Sequence, residues 1–376
     1  MVIYISFVCL SILFFSFSYY QIDEKENALG VSYREPRPIL FGMGCLVLIL
    51  LFAFRGRTGT DTPLYNRVFN KVGSMSLKEV ITIGRDQLFY ILNWLTYRLS
   101  SGNLLFHNIV VGCLEYIPIL NVYKKYSKNC VLSVLFYIIT SSYFFAFNGQ
   151  RQGLAISITF AGFSFLANKK YWSYLILVLF ASLFHSSALI ILPFGFLSTY
   201  KTDSKLFIIV SAGLLLSTFF LWRLWDTIFY ILDLLGRDKI VDGYSSLSEE
   251  TAAGTGVNTL RVLVYVLPTL LGILHYEQLQ ENNRYFYVIL NLNIISSLLM
   301  IAATKTWYIA RFSDYFYVAM PFLLVELQSI VKENSKILFT FMIIILFLVY
   351  IWFSLHMESH LLPYYLTINN FVKVFP

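Results

Sequence analysis

Apolar runs recur along almost the whole chain, with short polar links between them. They fall at about 2–20, 38–54, 103–122, 130–147, 151–167, 171–185, 187–198, 206–225, 259–275, 285–303, 312–330 and 337–355. A helix needs about 20 apolar residues to cross ~30 Å of hydrocarbon. The pattern therefore predicts an all-α, polytopic integral membrane protein with about twelve transmembrane helices, and residues 1–376 read as one transmembrane domain. Only 13% of the 376 residues are charged, against roughly 25% in soluble domains. Too few charges exist to coat a soluble surface, which excludes a soluble enzyme, a nucleic-acid-binding domain and a disordered chain. The first run lacks a basic lead and a small-residue cleavage site, so it reads as a retained span. Cys9, Cys45, Cys113 and Cys130 lie in or beside apolar stretches and read as small buried hydrophobes.

Two regions depart from the simple pattern. The runs 171–185 and 187–198 are short, and read as one broken helix or two tilted ones, with Pro193 as a kink. The connection 55–102 carries Leu88, Ile91, Leu92, Leu95 and Leu99 on one helical face, with Asn93, Thr96 and Arg98 opposite. That spacing predicts a short interfacial helix over 86–99.

Lysine-rich turns orient the chain. Lys124, Lys125 and Lys128, then Lys169 and Lys170, Lys201 and Lys205, and Lys332 and Lys336 all fall on one side of a twelve-span map. That side is expected to be cytoplasmic, with both termini and the 55–102 connection outside. Ten of the fifteen lysines are then inside, but only three of the thirteen arginines: Arg34, Arg37 and Arg284. The outer excess of arginine runs against the usual bias. Arginine grips phosphate with a rigid bidentate fork, so an anionic, phosphate-bearing ligand is expected on the outer face. Snorkelling to lipid head groups is the competing explanation.

Four segments carry the candidate chemistry. Residues 54–65 hold Arg55, Arg57 and Asp61 among glycines and hydroxyls that can surround a phosphate, although Thr62-Pro63 also reads as a helix start. Residues 147–153 form a tight turn with Arg151 at a helix start, where a cation opposes the helix dipole. His185 sits at the break between two short runs and is a candidate base. In residues 305–316, Arg311 opens a run and Asp314 follows at i+3, the spacing of a helical ion pair. The polar loop 226–258 holds Tyr244, placed to stack on a sugar. The tyrosines after Pro363 fit interfacial anchoring.

The segments FRGRTGTDTPLYNRVF, NGQRQGLAISI, LFASLFHSSALIILPF and ARFSDYFYVAMPFLL together make the chain resemble the EpsG-like family of bacterial polysaccharide polymerases, related to Wzy-type O-antigen and capsule polymerases. The resemblance spans most of the chain. Residues 84–89 depart from the pattern and leave open which carboxylate of the connection matters. The resemblance implies a GT-C-like, multi-pass protein of the bacterial cytoplasmic membrane. It implies a metal-independent glycosyltransferase without cofactor, acting on an oligosaccharide linked to polyprenyl diphosphate, with a chain-length regulator as a further partner. In that scheme Arg57, Arg151 and Arg311, assisted by Arg55, bind the diphosphate. His185 is the first candidate base and Asp61 the second, and Gln152, Tyr315 and Tyr244 contact glycan. A flippase, a glycan ligase and an acyltransferase are the competing readings. A flippase needs alternating access and often an internal repeat, and no repeat stands out here.

Overall fold

The computed structural model describes residues 1–26, 32–201, 256–304, 307–368 and 371–375. The expected run 206–225, most of the loop 226–258 with Tyr244, and Lys205, Arg223, Arg237 and Lys305 lie outside the described residues. The described chain is mostly helical, with two small antiparallel hairpins, Glu24–Glu26 with Ser32–Arg34 and Tyr364–Ile368 with Phe371–Phe375.

Among the described residues, three helices are long and apolar enough to cross a membrane: Val2–Tyr19, Leu104–Tyr126 and Glu333–Glu358. A fourth crossing would join Thr259–Leu274 and Tyr276–Asn282, which meet at a 79° bend. Other expected runs form shorter apolar helices, among them Pro38–Ala53, Cys130–Ile139, Tyr171–Ser182, Phe286–Ala302 and Met320–Ile330. The first and last long helices leave most of their apolar surface outward, with Ile337 84% and Val2 72% exposed. Such faces suit lipid, not water, and mark a membrane protein.

Several sequence expectations change in detail. The run 130–147 stops as a helix at Ile139 and resumes as the short turn Phe145–Asn148. Similarly, 151–167 divides at Gly162 into Gln150–Ala161 and Phe163–Ala167. The chain breaks between Ser182 and Ser186, ahead of Pro193, which lies inside the helix Ile191–Leu197. The amphipathic stretch in the 55–102 connection forms the helix Gln87–Ser100.

The bundle has two chemically distinct ends. At one end Lys128 pairs with Glu326 at 2.7 Å, and Asn283 donates to the same carboxylate at 2.9 Å. Lys124 lies over the Phe41 ring near the start of Pro38–Ala53. At the other end, residues 54–62, 141–153, 307–311 and 354–367 gather. Thr62 Oγ1 donates to the Phe147 carbonyl, Asn148 to the Ser359 carbonyl, and the Ser141 and Ser354 hydroxyls meet at 2.9 Å.

The tyrosines after Pro363 are not simple interfacial anchors. Tyr364 is fully buried; its hydroxyl donates to the Leu51 carbonyl at 2.6 Å, and its ring meets Tyr4 edge-on at 5.1 Å. The same hairpin clasps the loop after Ala53, with the Thr367 N–H donating to Phe54 O and the Tyr365 N–H to Thr58 Oγ1. The sequence has no periodic signal for a strand that pairs with a loop some 300 residues earlier. Tyr364→Phe removes one hydrogen bond and should cost about 1 kcal/mol. Tyr364→Ala should cost about 3–5 kcal/mol. Thermal unfolding of the detergent-solubilised protein checks both values, and equal midpoints for the two variants would contradict this role.

Candidate functional site

The four sequence segments converge at the hairpin end of the bundle, and the carboxylate of Asp86 lies at one of their junctions. Arg151 Nη1 is 2.8 Å from Asp86 Oδ2, His185 Nδ1 is 3.4 Å from the same oxygen, and the Ser186 N–H donates to Oδ1 at 3.1 Å. Asp86 is 8% exposed. Its backbone is left-handed, with φ +55 and ψ +40, a conformation that aspartate tolerates better than most residues. Just beyond it begins the helix Gln87–Ser100, and the Leu88 N–H donates to Leu183 O, holding this helix start against the break at 183–185.

Burial alone would push the Asp86 carboxyl up. The hydrogen bond and charge of His185, the Ser186 N–H and the Arg151 guanidinium outweigh it and hold the group below the usual carboxylate range. Arg151 thus answers its unfavourable place at a helix N-terminus by pairing with an acid rather than standing free. With Nδ1 turned to Asp86, Nε2 is the His185 nitrogen left to receive a proton.

Arg151 connects this cluster to the others. Tyr65, on the helix Thr62–Gly73, lies within electrostatic reach of Arg151, Asp61 and Arg311. Gln152 is buried, and its side-chain amide donates to the Arg311 carbonyl at 2.5 Å. Tyr315 is buried and meets the Ser187 hydroxyl at 2.8 Å, tying the helix Trp307–Tyr317 to the His185 segment. Gln152 and Tyr315 therefore hold elements together.

Asp61 stands at the N-cap of Thr62–Gly73 but makes no side-chain cap bond; it accepts from Thr60 at 3.1 Å and lines a cavity. Arg57 is exposed on the same loop. Gly59 has φ +93, and a Cβ there would stand 2.3 Å from Asn148 Oδ1, so the loop can lie against the 147–153 turn only with glycine at this position. Arg55 is fully buried. Its guanidinium stacks 3.7 Å from the Phe52 ring centroid and donates to the Phe52 carbonyl at 2.8 Å. Arg55 thus holds the loop from inside, while Arg57 stands at its surface.

The expected Arg311–Asp314 helical pair is replaced by a tertiary one. Asp314 Oδ1 lies 3.5 Å from Arg261 Nη2 and accepts from the Tyr265 hydroxyl at 3.1 Å, whereas the exposed Arg311 lies 4.9 Å from the Trp307 ring centroid. Asp61, Glu115, Arg261, Arg311, Asp314 and Glu358 all line a cavity of about 250 Å³. Arg57, Arg151 and His185 are not among its lining residues. Among the described residues no three of His, Cys, Asp and Glu group as a metal site.

Sequence reasoning missed the junction role of Asp86 and left Glu115 and Arg261 out of its candidate site. A lone acid inside the apolar run 103–122 was the available signal for Glu115.

A model of the EpsG family matches residues 39–366. No curated protein and no solved structure matches the chain.

Because folding lowers the Asp86 pKa, its stabilising contribution is complete above the unfolded value of about 4. It is lost as pH falls through the lower folded value. The thermal unfolding midpoint of the wild type should therefore fall below about pH 4, and Asp86→Asn should remove that part of the acid dependence. An unchanged acid limb in the variant would disprove the coupling.

Proposed function

The chain belongs to the EpsG family, and from that premise we propose that it polymerises oligosaccharides linked to polyprenyl diphosphate, on the outer face of a bacterial cytoplasmic membrane. About twelve crossings in a GT-C-like arrangement would carry the site. The observation that bears most weight is the convergence, at one bundle end, of Arg151, Asp86 and His185 with Arg311 and Asp61 around Tyr65.

In the proposed reaction an acceptor sugar hydroxyl attacks the anomeric carbon of the donor glycan. The new C–O bond forms as the bond from that carbon to the diphosphate oxygen breaks. The bonding electron pair leaves with polyprenyl diphosphate, and the hydroxyl proton passes to Nε2 of His185. Asp86 orients the imidazole through Nδ1 and stabilises the imidazolium that results. Asp61 is the second candidate for the base.

Most of the barrier lies in charge developing on the leaving diphosphate. Arg57 and Arg311 are exposed cations, Arg311 lines the cavity, and Arg151 adds a third guanidinium, partly neutralised by Asp86. Guanidinium groups fixed in a site of low dielectric stabilise such charge without reorganising. In this proposal they do the work that a divalent ion does elsewhere, and the reaction needs no cofactor.

Purified protein incubated with a lipid-linked repeat unit should give a ladder of longer glycans. Arg151→Ala and Arg311→Ala should each lower elongation by about 10²–10³ at unchanged protein abundance. Arg151→Lys should recover little, because an ammonium lacks the bidentate fork. Full-length polymer from both alanine variants would refute the clamp. Movement of substrate across a vesicle membrane without any elongation would point to a transporter instead. For the base, His185→Gln is decisive, since near-native turnover in this variant removes His185 from the mechanism.

A further inference from the structure

We propose that the 250 Å³ cavity is a subsite for one uncharged pyranose ring, with Glu115 as its deep anchor. The proposal deepens the glycan-handling reading above and rests on it.

Glu115 lies midway along the helix Leu104–Tyr126, is 1% exposed, and lines the cavity. Neither of its carboxyl oxygens has a hydrogen-bond partner among the described residues. An acid buried at that depth is costly unless something uses it. Three other cavity-lining side chains hold buried polar atoms with no partner among the described residues: Asn148 Oδ1, Arg261 Nε and the hydroxyl of Tyr317, which is 2% exposed. The set offers an acceptor at Glu115 and donors at Arg261 and Tyr317, while Asn148 Oδ1 packs on Gly59. Sugar hydroxyls both donate and accept, so one ring can satisfy both kinds.

Space in front of Glu115 is kept by Gly153. A Cβ at that position would stand 2.9 Å from Glu115 Oε1 and 3.3 Å from the Ala146 methyl. Gly153 follows Arg151 by two residues in the same helix, so the helix that presents the cation also opens the cavity.

Size and charge select the ligand class. Drug-sized ligands occupy about 300–1,000 Å³, so this volume takes a single sugar ring rather than a repeat unit or a polyprenyl tail. Four carboxyl-bearing side chains (Asp61, Glu115, Asp314, Glu358) line it against two guanidiniums (Arg261, Arg311). That balance disfavours phosphate and uronate inside the cavity. The diphosphate then belongs at the rim with Arg57 and Arg151, and the uncharged ring belongs within.

Saturation-transfer NMR on the purified full chain, with the methyl glycosides of glucose, galactose and N-acetylglucosamine and with glucuronate as the charged probe, tests this. At least one neutral glycoside should bind and glucuronate should not. Glu115→Ala should reduce the signal at least fivefold. Gly153→Ala, which leaves every charge in place, should reduce it comparably, so misfolding of one variant does not decide the matter. Absence of neutral-glycoside binding, or binding that both variants retain, overturns the subsite. Displacement of the glycoside by free oligosaccharide supports an acceptor subsite, and displacement by the lipid-linked form alone supports a donor subsite. The elongation assay on the same preparations separates the two ideas. Glu115-dependent sugar binding without elongation counts against polymerisation and leaves the subsite standing. Elongation with unaltered kinetics in Glu115→Ala overturns the subsite and leaves polymerisation standing.

Discussion

A single carboxylate, that of Asp86, joins segments separated by 65 and 100 residues. It satisfies a guanidinium at a helix start, an imidazole and a backbone N–H at a helix break. Each partner would be unfavourable alone: a cation at a helix N-terminus, a histidine beside apolar helices, an orphaned amide. Gathered on one buried carboxylate, they stabilise one another, and the relative positions of the 86–100, 150–161 and 183–190 segments follow. The helix Trp307–Tyr317 is then fixed by Gln152 and by Ser187, neighbours of two of those partners. Without the acid, neither Arg151 nor His185 has a reason to point where it does.

Much of this was legible from residue order, and the physical reason is specific. Apolar runs are dictated by hydrocarbon, so the helical and membrane character could be read directly. The four segments around Arg57, Arg151, His185 and Arg311 stand out because charge interrupts apolar sequence only where something uses it. Which charge meets which could not be read. Arg311 and Asp314 are three apart on one helix, yet Asp314 turns to Arg261 and Tyr265 on another. Arg55 and Arg57 differ by two positions and have opposite fates, one sealed on Phe52 and one exposed. A two-residue step in an irregular loop has no fixed period, so nothing in the order of residues assigns inside and outside there. Gln152 and Tyr315 read from the sequence as glycan contacts, and their ties between helices could not be read there.

Charge separation divides the hairpin end into two environments. Arg57 and Arg311 are exposed there, and Arg311 also lines the cavity that holds Asp61, Glu115, Asp314 and Glu358. In a medium of low dielectric such a gradient acts over several ångströms with little screening. Under the proposed function an anionic group would be held by the guanidiniums and a polyol admitted to the cavity, so one molecule bearing both would be oriented by the field before any short contact forms.

The clasp of the hairpin over the Phe54–Thr58 loop also sets a timetable. Tyr364 bonds the Leu51 carbonyl across 313 residues of chain. At about 5–20 residues per second, synthesis leaves that loop unclasped for on the order of tens of seconds after it emerges. During that interval the Phe54 carbonyl and the Thr58 hydroxyl lack the hairpin N–H groups that bind them in the finished fold. The bundle end that carries the candidate chemistry is therefore among the last regions of the protein to be assembled, although the first of its residues are made early.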